Sequence, residues 1–125
     1  MKVISSVVVH GAQIGRRIGF PTANMNIEEG VSIDNGVYAS TTEVDNKEYI
    51  SITNIGLRPT VCGKQRLIET HLLDFSGDLY GKTIKVSLCL KIRDERKFNS
   101  LDELKTQLEM DTQTVRMFFS KNSLK

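Results

Sequence analysis

The chain is short of several residue types that characterise whole protein classes. It has no tryptophan, two prolines and two cysteines in 125 residues. Cys62 and Cys89 lie far apart and form no CxxC pair, and no cluster of histidine, cysteine and aspartate has zinc spacing. We interpret both cysteines as free thiols in a reducing compartment, with a disulfide between them as the alternative.

Long apolar runs are also missing. No stretch approaches the roughly 20 residues that a transmembrane helix needs, and residues 1–6 lack the apolar core of a signal peptide. We therefore expect no membrane association and a cytoplasmic location.

Charge of one sign is not in large excess, since the formal net charge is +2. The basic residues form no long run and aromatic residues make up 6% of the chain, so a nucleic-acid-binding face is not indicated. The length favours one domain over residues 1–125, large enough for a hydrophobic core without metal or disulfide crosslinks. We expect this domain to be a monomer.

What the chain does contain is the alternating pattern of half-buried strands. Between Thr83 and Arg93, apolar residues occupy every second position from Ile84 to Ile92. Further strands are predicted at Lys2–Val9, Gly36–Val44, Lys47–Asn54 and Arg66–Phe75. The Asp45-Asn46 pair between two of them is typical of a tight hairpin.

The C-terminal part has a helical pattern instead. Ser100 with Glu103 forms a capping-box sequence, and leucines then recur at helical spacing. We interpret Asp111 as the cap of a second helical stretch that carries Val115, Phe118 and Phe119. The sequence thus predicts a small antiparallel barrel over about residues 1–95, packed by a helical segment over about residues 100–120.

Three segments contain residues suited to chemistry, and the first is His10–Gly19. Its glycines would let backbone N–H groups approach phosphate oxygens, and Arg16 and Arg17 would neutralise them. It is not a Walker A sequence, because the Gly-Lys-Ser/Thr ending is absent. Spacing alone favours a flexible surface loop.

The second segment is Gly19-Phe20-Pro21-Thr22-Ala23-Asn24. Pro21 holds the preceding residue in an extended conformation, and in extended chain Thr22 and Asn24 point the same way. A hydroxyl and an amide oxygen are hard ligands suited to Mg²⁺. A turn in which Thr22 and Asn24 cap backbone groups explains the same residues.

The third segment is Glu69-Thr70-His71-Leu72-Leu73-Asp74-Phe75. In a strand, Glu69 and His71 share one face with Leu67 and Leu73, where burial of an ionisable pair is costly. Glu69 could accept a proton from a hydroxyl nucleophile. His71 is interpreted as a buried, hydrogen-bonded neutral imidazole.

In their order along the chain these segments resemble the riboflavin kinase family. That family's module occurs alone in eukaryotes and as the C-terminal half of bacterial bifunctional FAD synthetases. The matching stretches are Gly11 through Asn24, Gly36–Ala39, Asn54–Gly56 with Pro59-Thr60, Glu69–Phe75, Asp78–Gly81, and Ile92-Arg93 with Phe98. The resemblance implies a mainly β fold: a six-stranded antiparallel Greek-key barrel with a C-terminal α-helix.

The resemblance also implies a reaction, in which the γ-phosphate of ATP moves to the 5′-hydroxyl of riboflavin to give FMN and ADP. Glu69 would be the general base. The nucleotide would be held by Gly11, Gly15, Arg16, Gly19, Thr22, Asn24 and Tyr80. Thr22 and Asn24 would also bind Mg²⁺, for which Zn²⁺ or Mn²⁺ could substitute, and Arg93 and Phe98 would flank the flavin.

Two departures from the family pattern are Val61, where an aromatic residue is common, and Asn35 in a turn. Neither removes a proposed catalytic group, and both bear on substrate affinity. The nucleotidyltransferase half of the bifunctional enzymes is missing from this sequence, so a complete protein of this length should make FMN but not FAD. Three alternatives remain: a non-catalytic flavin-binding regulator, a kinase module excised from a bifunctional FAD synthetase, and an unrelated structural barrel.

Overall fold

The computed structural model describes residues 2–9, 19–27, 32–61 and 63–122, with backbone alone for 58–60 and 122. The strands are β1 (Lys2–Val7), β2 (Ala23–Asn26), β3 (Gly36–Val44), β4 (Lys47–Thr60), β5 (Gly63–Leu72) and β6 (Thr83–Arg93). They are followed by the helix α1 (Leu101–Asn122).

The six strands form one antiparallel sheet in the order β1-β6-β3-β4-β5-β2. Three hairpin-connected strands, β3 to β5, are followed by a fourth that returns beside the first of them, which is the Greek-key arrangement. The Val9 N–H donates to the Asn24 carbonyl at 2.8 Å, and this bridge brings the sheet's two outer strands together. The predicted barrel with a C-terminal helix is confirmed.

The central hairpin is longer than the alternation pattern predicted. The strand predicted at Lys47–Asn54 continues to Thr60, and β5 begins at Gly63 rather than Arg66 and ends at Leu72 rather than Phe75. The two strands remain paired from Ser51 and Leu72 to Thr60 and Gly63, so backbone pairing extends strand structure through Pro59. The predicted Asp45-Asn46 hairpin is confirmed, because both residues have positive φ, 52° and 66°.

The barrel interior is filled by aliphatic side chains from all six strands. Its largest fully buried members include Met25, Ile55, Ile68, Ile84 and Val86. Full burial of one such side chain stabilises the fold by about 1.5–3 kcal/mol relative to exposure. Apolar burial of this kind is the main force that closes the sheet.

A chain of hydroxyl groups crosses this apolar interior. Thr42 and Ser51 are 2.8 Å apart, Ser51 and Ser40 2.7 Å, Ser40 and Thr53 2.7 Å, and Thr53 and Thr70 3.1 Å. All five residues are fully buried, and each hydroxyl has at least one partner. Each buried hydroxyl of this chain on β3, β4 and β5 therefore has a partner inside the barrel.

Helix α1 begins at the predicted capping box and covers part of the outer surface of the barrel. The Glu103 N–H donates to Ser100 Oγ at 3.1 Å, and the Glu103 carboxylate accepts from the Asn99 N–H at 3.1 Å. Val115 is fully buried in a second apolar cluster with the side chains of Val37, Ala39, Ile52 and Leu73. No helix in the described part of the chain has the length and apolar character needed to cross a membrane.

The prediction that Asp111 caps a second helix was wrong, because α1 runs through it without a break. Its carboxylate binds an arginine side chain instead of backbone N–H groups. Arg93 of β6 donates from Nε and Nη2 to the two oxygens of Asp111, at 2.9 and 2.8 Å. A second two-pronged pair, at the surface, joins Arg116 of the helix to Asp74 after β5, at 3.0 and 3.1 Å. The helix is thus fixed to the barrel by two arginine–aspartate pairs.

Candidate active site

A cleft of about 360 Å³ opens beside β2, and it contains three of the predicted site residues. Thr22, Asn24 and Tyr80 all line it. Its other walls are Val8 and Val9, Thr70 and Leu72 of β5, and the 75–79 segment. A larger hollow of about 430 Å³ beside β1 and β6 contains none of the predicted site residues. We therefore take the first cleft, and not the larger hollow, as part of the site.

The Pro21–Asn24 stretch enters the cleft as extended chain and becomes β2 at Ala23. Asn24 is 4% exposed, and its side-chain N–H faces the Thr22 carbonyl at 3.5 Å. Thr22 is half-buried on the same wall. A hydroxyl and an amide therefore line one cleft, as the spacing predicted, while their binding of a metal stays a prediction.

His71 anchors this stretch to β5. Its Nδ1 lies 2.7 Å from the Pro21 carbonyl, and its ring centroid is 5.3 Å from that of Phe20. Burial lowers the pKa of His71, and the hydrogen bond to the Pro21 carbonyl acts in the opposite direction. A neutral ring that donates from Nδ1 fits this geometry, as interpreted from the sequence, although the ring is half-buried and not buried.

The barrel register places three of the predicted residues in one row across its outer face. Directly opposite residues in an antiparallel sheet project to the same side. Asn24 pairs with Glu69, Glu69 with Asn54, Asn54 with Val37, and Val37 with Arg93. We call these five residues the site row. It joins the predicted base to a predicted metal ligand on one side and to a predicted flavin-binding arginine on the other.

Glu69 lies next to the cleft without lining it. The side chains of Ile68 and Thr70 are fully buried, so Glu69 projects outward, half-buried, beside Asn24. Opposite residues have Cβ atoms about 5 Å apart. A carboxylate at this place can reach a hydroxyl group whose oxygen approaches a ligand held in the cleft.

The two predicted flavin-binding residues have different surroundings. Arg93 ends β6 in the site row, and Asp111 fixes its guanidinium. Phe98 lies in the segment before α1, with the Arg96 guanidinium carbon 4.7 Å from its ring centroid. Contact of either residue with a flavin stays a prediction.

The remaining nucleotide-binding predictions fall partly outside the described residues. Gly11, Gly15 and Arg16 lie there, whereas Gly19 is exposed with φ +90°, a conformation that favours glycine. Tyr80 is 53% exposed at the cleft mouth, and its N–H donates to Asp78 Oδ1 at 2.9 Å. Cys89 is a free thiol, and Cys62 also lies outside the described residues.

Sequence reasoning assigned no role to two residues of β4 that the structure brings into this region. Asn54 lies in the site row, and Gly56 is the next residue on the same face. A side chain at position 56 would collide with the carboxylate of Glu95, which lies over the glycine. Correct strand bounds with the period of two would have placed both on the face of Glu69, because Asn54 and Glu69 are paired.

The donor groups of the cleft are neutral oxygens and not a cluster of charged ligands. Among the described residues, no group of three or more histidine, cysteine, aspartate or glutamate side chains could hold a metal ion. A hydroxyl and an amide suit a cation that takes most of its other ligands from phosphate and water, as Mg²⁺ does. The residues present fit a nucleotide-borne Mg²⁺ better than a resident metal.

Comparison with known proteins identifies the same family that the sequence resembles. The family model described as "Flavokinase: Riboflavin kinase" matches residues 2–119. The bifunctional riboflavin kinase/FMN adenylyltransferase of Escherichia coli strain K12 is 50% identical over 117 residues, which are 93% of this chain and 37% of that protein. The chain therefore spans little more than a third of that relative's length.

Two further matches are named as riboflavin kinases. The RNA-binding riboflavin kinase RibR of Bacillus subtilis strain 168 is 39% identical over 120 residues, covering 95% of this chain and 52% of that protein. The crystal structure of riboflavin kinase from Trypanosoma brucei matches with a TM-score of 0.68 and 25% identity, covering 98% of this chain and 82% of that one. Since the family model covers nearly the whole sequence, the chain belongs to the flavokinase family.

Proposed function

We propose that the chain is an ATP:riboflavin 5′-phosphotransferase that makes FMN and ADP. The observation that carries this proposal is the site row, in which Glu69 stands between the cleft wall at Asn24 and the end of β6 at Arg93. Family membership supports the identity of the two substrates, and the row supports a proposed position for each of them.

In this proposal the cleft beside β2 takes the ATP phosphates. Thr22 and Asn24 would contribute oxygen ligands to Mg²⁺, with Zn²⁺ or Mn²⁺ as substitutes. The bound ion would neutralise charge on the phosphate oxygens. Gly11, Gly15, Arg16 and Gly19 would close over the phosphates through backbone N–H groups and one guanidinium, and Tyr80 would contact the nucleotide at the cleft mouth.

Glu69 would act on the nucleophile. Its carboxylate accepts the proton of the riboflavin 5′-hydroxyl as the oxygen bonds to the γ-phosphorus, and the bond from that phosphorus to the leaving ADP oxygen breaks. Most of the rate enhancement in such a transfer comes from alignment and charge neutralisation. Arg93 and Phe98 would hold the flavin ring, and the Asp111 pair would keep the Arg93 guanidinium in a fixed orientation.

The proposed module is one domain over residues 1–125, monomeric and cytoplasmic, with free thiols at Cys62 and Cys89. The alternative is a regulator that binds flavin without phosphorylating it, but RibR, the relative whose name includes RNA binding, is itself named a kinase. The retained hydroxyl, amide and carboxylate at Thr22, Asn24 and Glu69 favour the enzyme, because a pure binding protein has no need of a base beside a phosphate site.

The test is incubation of the purified chain with riboflavin, ATP and Mg²⁺, followed by chromatographic separation of the flavins. We expect FMN and an equal amount of ADP, with no product when the metal is chelated. Folded protein that binds riboflavin but yields no FMN with Mg²⁺, Mn²⁺ or Zn²⁺ would favour the regulator. FAD among the products would show a second activity that the proposal does not contain.

A further inference from the structure

Asn54 carries a buried carbonyl that the fold does not use. Among the described residues, its Oδ1 is the buried side-chain oxygen without a hydrogen-bond partner. Buried polar atoms are nearly always paired, since leaving one unpaired lowers the stability of the folded state. An acceptor kept unpaired on a functional face points to a ligand that brings the missing donor.

The position of Asn54 in the site row narrows the choice of ligand. It is the direct neighbour of Glu69 on β5 and stands two strands away from Arg93 on β6. With strands about 4.8 Å apart, Glu69 and Arg93 are separated by roughly 14 Å along the row. A substrate that places its reacting hydroxyl at Glu69 and extends toward Arg93 must pass over Asn54. Val37, the next member of the row, is buried against Val115 of α1.

The groups around Asn54 favour a ligand with hydroxyl donors over an anionic ligand. Glu69 stands on one side, and the Glu95 carboxylate lies over Gly56, the next residue of β4 on this face. These side chains present acceptor oxygens, which repel phosphate and suit a chain of hydroxyl groups. The polyol chain of riboflavin lies between its ring and its 5′-hydroxyl and bridges roughly one to two strand spacings.

We propose that Asn54 Oδ1 accepts a hydrogen bond from a secondary hydroxyl of the polyol chain and thereby positions the 5′-hydroxyl at Glu69. The inference rests on the proposed function for the two ends of the substrate. It adds to that function a residue, Asn54, that makes the site prefer flavins with a polyol chain over flavins without one.

The experiment measures binding, so it does not depend on turnover. Riboflavin and lumiflavin, which has a methyl group in place of the polyol, are titrated against the parent chain and Asn54→Ala with Mg-ADP present, and flavin fluorescence is recorded. Asn26→Ala is the matched control, since Asn26 is an exposed asparagine of β2 outside the site row.

We expect Asn54→Ala to raise the Kd for riboflavin about tenfold, the value of one neutral hydrogen bond, and to leave the Kd for lumiflavin unchanged. The melting temperature of the ligand-free variant should stay the same or rise, because the unpaired carbonyl is removed. Asn26→Ala should match the parent with both flavins. In turnover, KM for riboflavin should rise while KM for ATP stays constant.

Equal weakening of both flavins would overturn the inference and give Asn54 a structural role. Unchanged binding of riboflavin would overturn it as well. A parent chain that binds riboflavin and makes no FMN would remove the proposed function, while the binding comparison would still decide the role of Asn54. A parent chain that binds neither flavin would remove both proposals.

Discussion

Two stretches of the same strand face differ sharply in character. Near its middle, β4 directs Ile50 and Ile52 outward, where they pack in the apolar cluster with Val115 of α1. Further along the same face, the outward residues are Asn54 and Gly56, and their partners on β5 are Glu69 and Leu67. Along β4 the face is apolar where the helix covers it, and beyond Ile52 it carries the polar pair of Asn54 and Glu69.

This difference shows that strand alternation selects a face but not its environment. One face of β4 therefore supports both a packed interface and a member of the site row. We call the part of this face that packs against α1 the covered half and the part beyond Ile52 the polar half. The predictions below test whether the two halves are separable, in order of decreasing effect.

The largest effect is expected from Glu69→Gln. Gln keeps the size of the side chain but cannot take a proton at neutral pH. We expect kcat to fall on the order of 10²-fold or more, about 3 kcal/mol in transition-state stabilisation, with the melting temperature and flavin binding retained. Steady-state kinetics and thermal denaturation on one sample measure both quantities.

Glu48→Gln is the matched control for that change, because Glu48 is an exposed glutamate near the start of β4, away from Glu69. It should leave kcat at the parent value. Near-parent turnover in Glu69→Gln would mean that another group accepts the proton. A lowered melting temperature with normal turnover would make Glu69 a structural residue.

In the covered half, Asp111→Asn should lower the stability of the fold. Asp111 is 2% exposed, and its loss leaves the Arg93 guanidinium short of its counter-charge. We expect the free energy of unfolding in urea to drop by about 3 kcal/mol, at the low end for a broken buried pair because Arg93 retains some solvent contact. Asp74→Asn breaks the exposed pair with Arg116 and should change the urea midpoint little. Equal effects of the two changes would refute the distinction between the buried and the exposed arginine–aspartate pair.

A smaller effect is expected at His71, which holds the Pro21 carbonyl on the wall of the cleft. His71→Phe keeps a ring beside Phe20 but loses the donor to the Pro21 carbonyl. We expect KM for Mg-ATP to rise about five- to tenfold, with KM for riboflavin unchanged. His71→Asn retains an N–H near the same place and should recover most of the loss. Identical kinetics of both variants would show that the hydrogen bond does not position the cleft.

The smallest effect concerns acid stability. The hydrogen bonds and charge of Arg116 lower the pKa of Asp74 in the folded state. Its contribution to stability is therefore complete above the unfolded-state pKa, about 4, and is lost as the pH falls through the lower folded-state value. Asp74→Asn should lower the melting temperature slightly at neutral pH and flatten its fall below pH about 4, so that the curves of parent and variant converge at low pH. A parallel displacement at every pH would contradict this.

The sequence predicted the fold well where one period persisted over many residues. β6 was placed at its observed bounds because alternation runs through all of Thr83–Arg93. β4 was cut short because Asn54, Gly56 and Pro59 interrupt the pattern, and the hydrogen-bond register with β5 maintains the strand there. The ion pair of Asp111 was missed because its partner, Arg93, is remote in sequence.

The candidate site was predictable in part for the same reason. Local spacing brought Thr22 and Asn24 to one wall, and the face shared by Glu69 and His71 follows from a period of two. The alignment of Asn24, Glu69 and Arg93 in one row depends on the pairing of five strands. No local pattern contains that register, which depends on pairing between strands remote in sequence.

The hydroxyl chain inside the barrel has a consequence for proton counting. Its members, Thr42, Ser51, Ser40, Thr53 and Thr70, bring five protons to four hydrogen bonds, so one proton is left over. When all four bonds run in the same direction, the spare proton resides on Thr42 or on Thr70. Thr70 also lines the cleft. The direction in which the four hydrogen bonds run therefore determines whether the Thr70 hydroxyl presents a proton or a lone pair to the cleft.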